Sequence, residues 1–225
     1  MEKPILFSTP MVESILDDRK SQTRRIMKIQ PPSEKHIFSQ VIESTNRKQN
    51  GKCHWVLPNI YVNSKNDSSE YFNWPYRKGD HLWVKEPYGF KVKNDSLGGS
   101  GNFLVYKADN PTAIAFEDCS GAKFPVKWKT SRFMPKKYAR IWLEVTAARV
   151  ERLNDISEQD AVAEGVEPCL YHHWADYSEK PEFQKSATLI TSPIESYMSL
   201  WNSLNGKGSW EKNPWVWAIT FRRIS

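Results

Sequence analysis

The 225-residue chain predicts an α+β fold: a small, mostly antiparallel β-barrel with short flanking helices and large loop insertions. Three observations carry this. β-Branched and aromatic residues gather in short runs bounded by Gly, Pro or polar clusters, the pattern of short strands joined by turns. Only two or three segments have helical periodicity, and each is short and sharply punctuated. Between the ordered blocks lie irregular stretches at residues 31–73, 88–135 and 167–191, which read as insertions into a single domain spanning 1–225.

Taken in order, Ile5 to Phe7 reads as a strand. Pro10 to Leu16 reads as a helix, because Met11, Val12, Ile15 and Leu16 fall at helical spacing, with Thr9 as N-cap and Pro10 in the first turn. The connection that leaves it, Asp17 to Arg25, carries four cations, Arg19, Lys20, Arg24 and Arg25, and leads into Ile26 to Ile29 before Pro31-Pro32 ends the unit. Within the first insertion, strands are expected at Ile37 to Ile42 and Cys53 to Leu57, and Asn63 to Ser69 reads as a polar loop. Gly79-Asp80 is a turn signal before a half-buried strand in which Leu82 and Val84 alternate with His81, Trp83 and Lys85. Gly98-Gly99-Ser100-Gly101 reads as a flexible loop, Phe103 to Lys107 as a strand, and residues 109–135 as mostly loop.

Met134-Pro135 introduces the strongest strand signal, Ala139 to Val150. A short helix follows, with Ser157 as N-cap, Glu158 and Asp160 in the first turn and Gly165 as its stop. Ser192-Pro193-Ile194-Glu195 is a capping box opening a helix whose inward face is Ile194, Tyr197, Met198, Trp201 and Leu204, closed by Asn205-Gly206. Trp215 to Ile224 is the last strand.

Composition narrows the partners. The formal net charge is +6, the sequence pI is about 9.1, and there are 10 Trp, 9 Tyr and 10 Phe. Cations meet phosphate and rings stack on bases, so a nucleic-acid or nucleotide ligand suits this balance. A small mixed protein that fills its core with Trp also fits it. Cys53, Cys119 and Cys169 are odd in number and widely spaced, so no disulfide framework is expected and the reducing cytoplasm is the expected compartment. The opening residues lack the long apolar region of a signal peptide, and no run reaches the length of a membrane span, so no membrane partner is expected.

Four constellations offer chemistry. Lys20 stands among Arg19, Arg24 and Arg25, whose like charge would lower its pKa and let it take a proton from Thr23 or a water. The same residues fit a solvated, charged turn. Glu164 precedes the Gly165 stop, where the negative end of the helix dipole opposes a carboxylate. Cys169 with His172-His173, and Cys53-His54, contain metal-ligating types, but adjacent histidines rarely share an ion, and ordinary loop residues are the expected reading; no metal or cofactor is expected. Ring and cation pairs at Trp74 to Arg77, Trp83 to Lys85, Trp128-Lys129 and Trp215 to Trp217 would stack on a base if some line the barrel mouth, with Lys85-Glu86 as a polar pair there.

Four blocks together resemble the ASCH domain, a relative of the PUA-like β-barrel. They are the first helix with Arg19 to Arg25, then Lys78 to Val84, Ile141 to Thr146, and Ile156 to Gly165; they cover about half of the chain, and the insertions fall outside. Met134-Pro135 and Trp201 to Gly206 are similar to a longer ASCH-like form common in bacteriophages and prophages, which implies a host-cytoplasm location. Small bacterial members hydrolyse N4-acetylcytidine with a Lys, a Thr three residues later and a Glu in the helix after the central strand. The resemblance therefore implies an amidohydrolase acting on a modified nucleoside, with Lys20, Thr23 and Glu164 catalytic. Arg19, Arg24, Arg25, Trp83, Lys85 and Glu86 are then the expected substrate contacts. A non-catalytic RNA-binding module, a ribonuclease of the same fold and a phage-encoded protein that binds a host factor are the alternatives.

Overall fold

A computed structural model of the chain describes residues 1–42, 46–57, 70–94, 100–178 and 190–225. Along the described residues the elements are β1 (Glu2–Leu6), α1 (Thr9–Leu16), β2 (Gln22–Ile26), β3 (Ile37–Gln40), β4 (Lys52–Val56), β5 (Phe72–Asn73), β6 (His81–Lys85), β7 (Tyr88–Asn94) and β8 (Ser100–Tyr106). They continue with β9 (Ile114–Glu117), β10 (Lys123–Pro125), β11 (Trp142–Arg152), α2 (Glu158–Ala163), α3 (Pro193–Asn205) and β12 (Trp215–Arg223). The main sheet has the order β1-β6-β11-β12-β2; β1 and β6 are parallel and the other three pairings antiparallel. β3-β4-β5, β7-β8 and β9-β10 form smaller antiparallel sheets. The fold is thus α+β, with mostly antiparallel sheets and few helices.

Period-2 alternation builds this sheet. In β6, Leu82 and Val84 are buried between more exposed neighbours. In β12, Trp217, Ile219 and Phe221 enter one core with Ile5, Phe7, Val12, Ile15 and Leu143, while Val216 enters a second core with Ala161, Tyr197 and Trp201. Alternate residues of one strand thus fill both layers, which is why β12 is apolar almost throughout. α1 covers the first layer, and α2 and α3 cover the second.

Several expectations shift. The N-cap of α1 is Ser8, one residue earlier than Thr9, and the helix begins at Thr9-Pro10. In α3, Leu204 is exposed and Ser196 and Ser199 are buried, their hydroxyls donating to the carbonyls of Ala175 and Ser196. Residues 109–135 contain the β9-β10 hairpin, too short to show alternation. Ser100 and Gly101 belong to β8; Gly98-Gly99 and the polar loop at Asn63 to Ser69 lie outside the described residues. The sheet ladder has two free ends, β1 and β2, and among the described residues no backbone pairing joins them into a barrel. Arg25 bridges the seam instead: its Nη2 donates to the Leu6 carbonyl at 2.6 Å and its guanidinium lies 5.1 Å from the Phe7 ring centre. No helix of the described residues is long and apolar enough to cross a membrane.

Asp80 anchors the turn into β6. It accepts from Lys3 Nζ at 2.5 Å and from the Arg77 N–H at 2.8 Å. Burial alone would raise its pKa, but these donors and the terminal amine hold it at about 2. Because the folded value lies below the unfolded 3.8, the contribution of about 2 kcal/mol is complete above the unfolded value and is lost as pH falls through the folded one. Asp80→Asn is expected to cost about that much in urea unfolding at pH 7, with the gap from the parent chain closing as the pH approaches 2.

Candidate functional site

The basic connection is folded tightly back on α1. Asp18 takes a positive φ of 56°, and the backbone N–H groups of Arg19 and Lys20 both donate to the Ser14 carbonyl at 2.9 Å. Ser21 then ties the segment to two other elements: its N–H donates to the Ala163 carbonyl at the end of α2, and its carbonyl accepts from Phe221 in β12. This places the Lys20 side chain against the end of α2. Nζ donates to Glu164 Oε2 at 2.8 Å and to the Glu164 backbone carbonyl at 2.6 Å, and the side chain is 1% exposed. One ammonium thus answers both the carboxylate that opposes the helix dipole and a carbonyl left over at the helix end. Gly165 makes the approach possible. Its φ is +89°, and a Cβ there would sit 2.9 Å from Lys20 Cβ and 3.1 Å from Ser14 Cβ.

The other carboxylate oxygen of Glu164 accepts from the Tyr197 hydroxyl at 3.2 Å and from Arg24 Nη1 at 3.3 Å. Arg24, fully buried in its side chain, also donates to Gln22 Oε1, Glu151 Oε1 and Asp160 Oδ2. These bonds occupy all five guanidinium N–H groups. Arg149 closes the outer edge by donating to Glu151 and Asp160, and Gln22 Nε2 donates to Asp160 and to Thr220.

The electrostatics follow from burial. Removal from water lowers the Lys20 pKa, with Glu164 opposing that fall and Arg25 and Arg24 adding to it slightly. Like charge, the expected cause, is therefore the lesser one. Burial, reinforced by the Glu164 carboxylate, pushes Tyr197 well above the usual phenol value. Burial works against the charge of Arg24, but Glu164, Tyr197 and Glu151 more than restore it and raise its pKa.

A cavity of about 390 Å³ opens beside this network, with Thr23, Arg25, Glu164, Tyr197, Trp201 and Ser131 in its wall. Arg25, Trp201 and Thr23 among them carry unanswered polar atoms. The Trp201 indole N–H and Arg25 Nε are buried without a hydrogen-bond partner among the described residues. The Thr23 hydroxyl likewise has none there, although the residue is only 2% exposed. Of the three, the two buried donors are closed off from the cavity, and the Thr23 hydroxyl is the polar group left for a ligand.

The structure joins Lys20 and Arg24 to Glu164 and places Thr23, Arg24, Arg25 and Glu164 in the cavity wall, which Lys20 does not line; it separates the rest. No hydrogen bond joins Thr23 to Lys20 among the described residues; Thr23 shares with Glu164 only the cavity wall. Arg19 faces outward, pairing with Asp17 and Glu167. Glu86 is fully buried and held by a two-pronged bond from Arg140, and Lys85 caps the Arg132 carbonyl beside the Trp83 ring. Trp83, Lys85 and Glu86 do not line the cavity. Gln22, Glu151, Asp160 and Tyr197 belong to the network, although in sequence Gln22 falls in the basic connection, Glu151 at the end of the strongest strand, Asp160 in a first helical turn and Tyr197 on an inward helix face. His54 is buried in β4 and stacks on Tyr71, and no cluster with metal-binding geometry occurs among the described residues. No protein-family model, curated protein or solved structure matches the chain.

Two substitutions test this geometry. Gly165→Ala is expected to destabilise by about 2–4 kcal/mol in urea unfolding, the sum of a left-handed alanine and the overlap with Lys20. Glu164→Gln leaves Lys20 buried without its counter-charge. A Lys whose folded pKa lies below the unfolded 10.5 makes folding more favourable as pH rises toward that value, so the deficit of Glu164→Gln should shrink between pH 7 and pH 10.

Proposed function

We propose that the chain is an ASCH-like amidohydrolase of the cytoplasm that removes an acyl group from a modified nucleobase such as that of N4-acetylcytidine. The main sheet is then a PUA-like barrel opened between β1 and β2. The observation that carries this reading is the buried Lys20–Glu164 pair, at 2.8 Å, beside a cavity that Thr23 and Glu164 both line. A volume near 390 Å³ lies in the range of small-molecule sites.

Burial favours the neutral Lys20 amine, against the opposing pull of the Glu164 carboxylate. In the proposed reaction the Thr23 hydroxyl attacks the acyl carbon while Lys20 takes the hydroxyl proton. The C–N bond breaks, that proton passes to the departing exocyclic amine, and the acyl group rests on Thr23 as an ester. Water then cleaves the ester, releasing the carboxylic acid and restoring the hydroxyl. Charge on the tetrahedral oxygen falls to Arg25, because every N–H of Arg24 is already committed. The same commitment argues against a plain phosphate-binding role for this cluster: Lys20 and Arg24 are buried in internal ion pairs.

Thr23→Val and Lys20→Met keep volume and burial while removing the hydroxyl and the amine. Each is expected to lower acetate release from N4-acetylcytidine by about 100-fold or more, with cooperative thermal unfolding retained. Full turnover in both variants, or no turnover of acylated nucleosides by the parent protein, would overturn the reading.

A further inference from the structure

Between β6 and β11 the chain departs from the main sheet to form the β7-β8 and β9-β10 hairpins. Residues 85–140 hold eleven Lys and Arg but five Asp and Glu, a surplus equal to the +6 of the whole chain. Two of those acids are engaged within the segment, since Arg140 binds both Glu86 and Asp109. Lys127, Lys129 and Arg132 are exposed and have no acidic partner among the described residues. They follow directly on Phe124, which stacks on Phe116 with ring centres 4.4 Å apart and planes within 10°. The two rings are 41% and 43% exposed, so this stack presents aromatic surface to solvent on a hairpin that could have buried it.

The run does not end at random. Next to Arg132, Ser131 lines the cavity that holds Thr23 and Glu164. The seven-residue path from Phe124 to Ser131 spans at most about 25 Å. Exposed rings followed by uncompensated cations, ending at a cavity for a nucleobase, match the needs of a single nucleic-acid strand: stacking for bases and point charges for phosphates. An anionic lipid surface would use the cations but not a stacked pair leading into a pocket.

We propose that the β9-β10 hairpin and the segment running to Arg132 are a platform for single-stranded nucleic acid that feeds the cavity. Binding by the platform stands apart from catalysis; the feeding role rests on the hydrolase reading. The consequence for that reading is a polymeric substrate instead of a free nucleoside.

The test is fluorescence anisotropy with a labelled 12-nucleotide single-stranded RNA at 50 and 200 mM salt. The triple variant Lys127→Ala/Lys129→Ala/Arg132→Ala is expected to bind roughly tenfold or more weakly and to lose about two from the slope of log K against log salt. Phe124→Ala is expected to weaken binding by about fivefold or more with the salt slope unchanged. Hydrolysis of free N4-acetylcytidine should be unaffected in both, which also reports correct folding of the cavity. Unchanged RNA affinity in both variants, equal affinity for a duplex, or binding to anionic vesicles but not to RNA would overturn the platform. If RNA binding depends on these residues while no acylated nucleoside is hydrolysed, the platform stands and the hydrolase falls.

Discussion

The structure depends on keeping one ammonium out of water. Lys20 is enclosed by α1, the end of α2 and the first turn of β2, and everything near it answers its charge or makes room for its stem. Glu164 supplies two acceptors, Gly165 omits the Cβ that would collide with it, and Ser14 draws in the backbone on either side. Burying an ion costs several kcal/mol even after relaxation, and an ion pair in the interior recovers that only with good geometry and satisfied neighbours. Lys20, Arg24 and Arg149 face Glu151, Asp160 and Glu164, so the network balances three cations with three carboxylates. A balanced network of this kind adds little net stability, yet it strongly penalises any arrangement that separates its members.

That logic also explains which cations remain for a ligand. The stretch from Arg19 to Arg25 looks uniform in sequence, but its four basic residues have four different fates. Arg19 pairs at the surface, Lys20 is sealed against Glu164, Arg24 is saturated by side chains, and Arg25 bridges the open seam through Nη2 while Nε and Nη1 have no hydrogen-bond partner among the described residues. Only the last retains a donor at the cavity wall.

Much of this was legible in the sequence where a local rule dominates. Ser157 caps α2 through the Asp160 N–H, Ser192 caps α3 through the Ile194 N–H, and Leu82 and Val84 alternate into the core, because capping and period-2 burial act over a few residues. Lys20 and Glu164 each stand out locally, but no rule acting over a few residues says that they meet across 144 positions. Tyr197 illustrates the limit. Its helical spacing marks an inward residue, but nothing nearby in sequence says that its hydroxyl meets a carboxylate. Glu86 failed for the same reason: position at a strand end suggests exposure, while Arg140, 54 residues later, draws it fully inside.

The sheet order has a consequence for how the protein is made. Among the described residues β2 pairs only with β12, the Gln22–Thr220 contact closes a loop of 198 residues, and Lys20 and Glu164 are 144 apart. Local contacts therefore cannot hold the basic segment in place early, and long-range pairing of this kind slows folding through loop-closure entropy. On the ribosome, Lys20 to Arg25 must wait as a cationic tract until β12 emerges. Emergence of β12 and assembly of the candidate site are thus the same event.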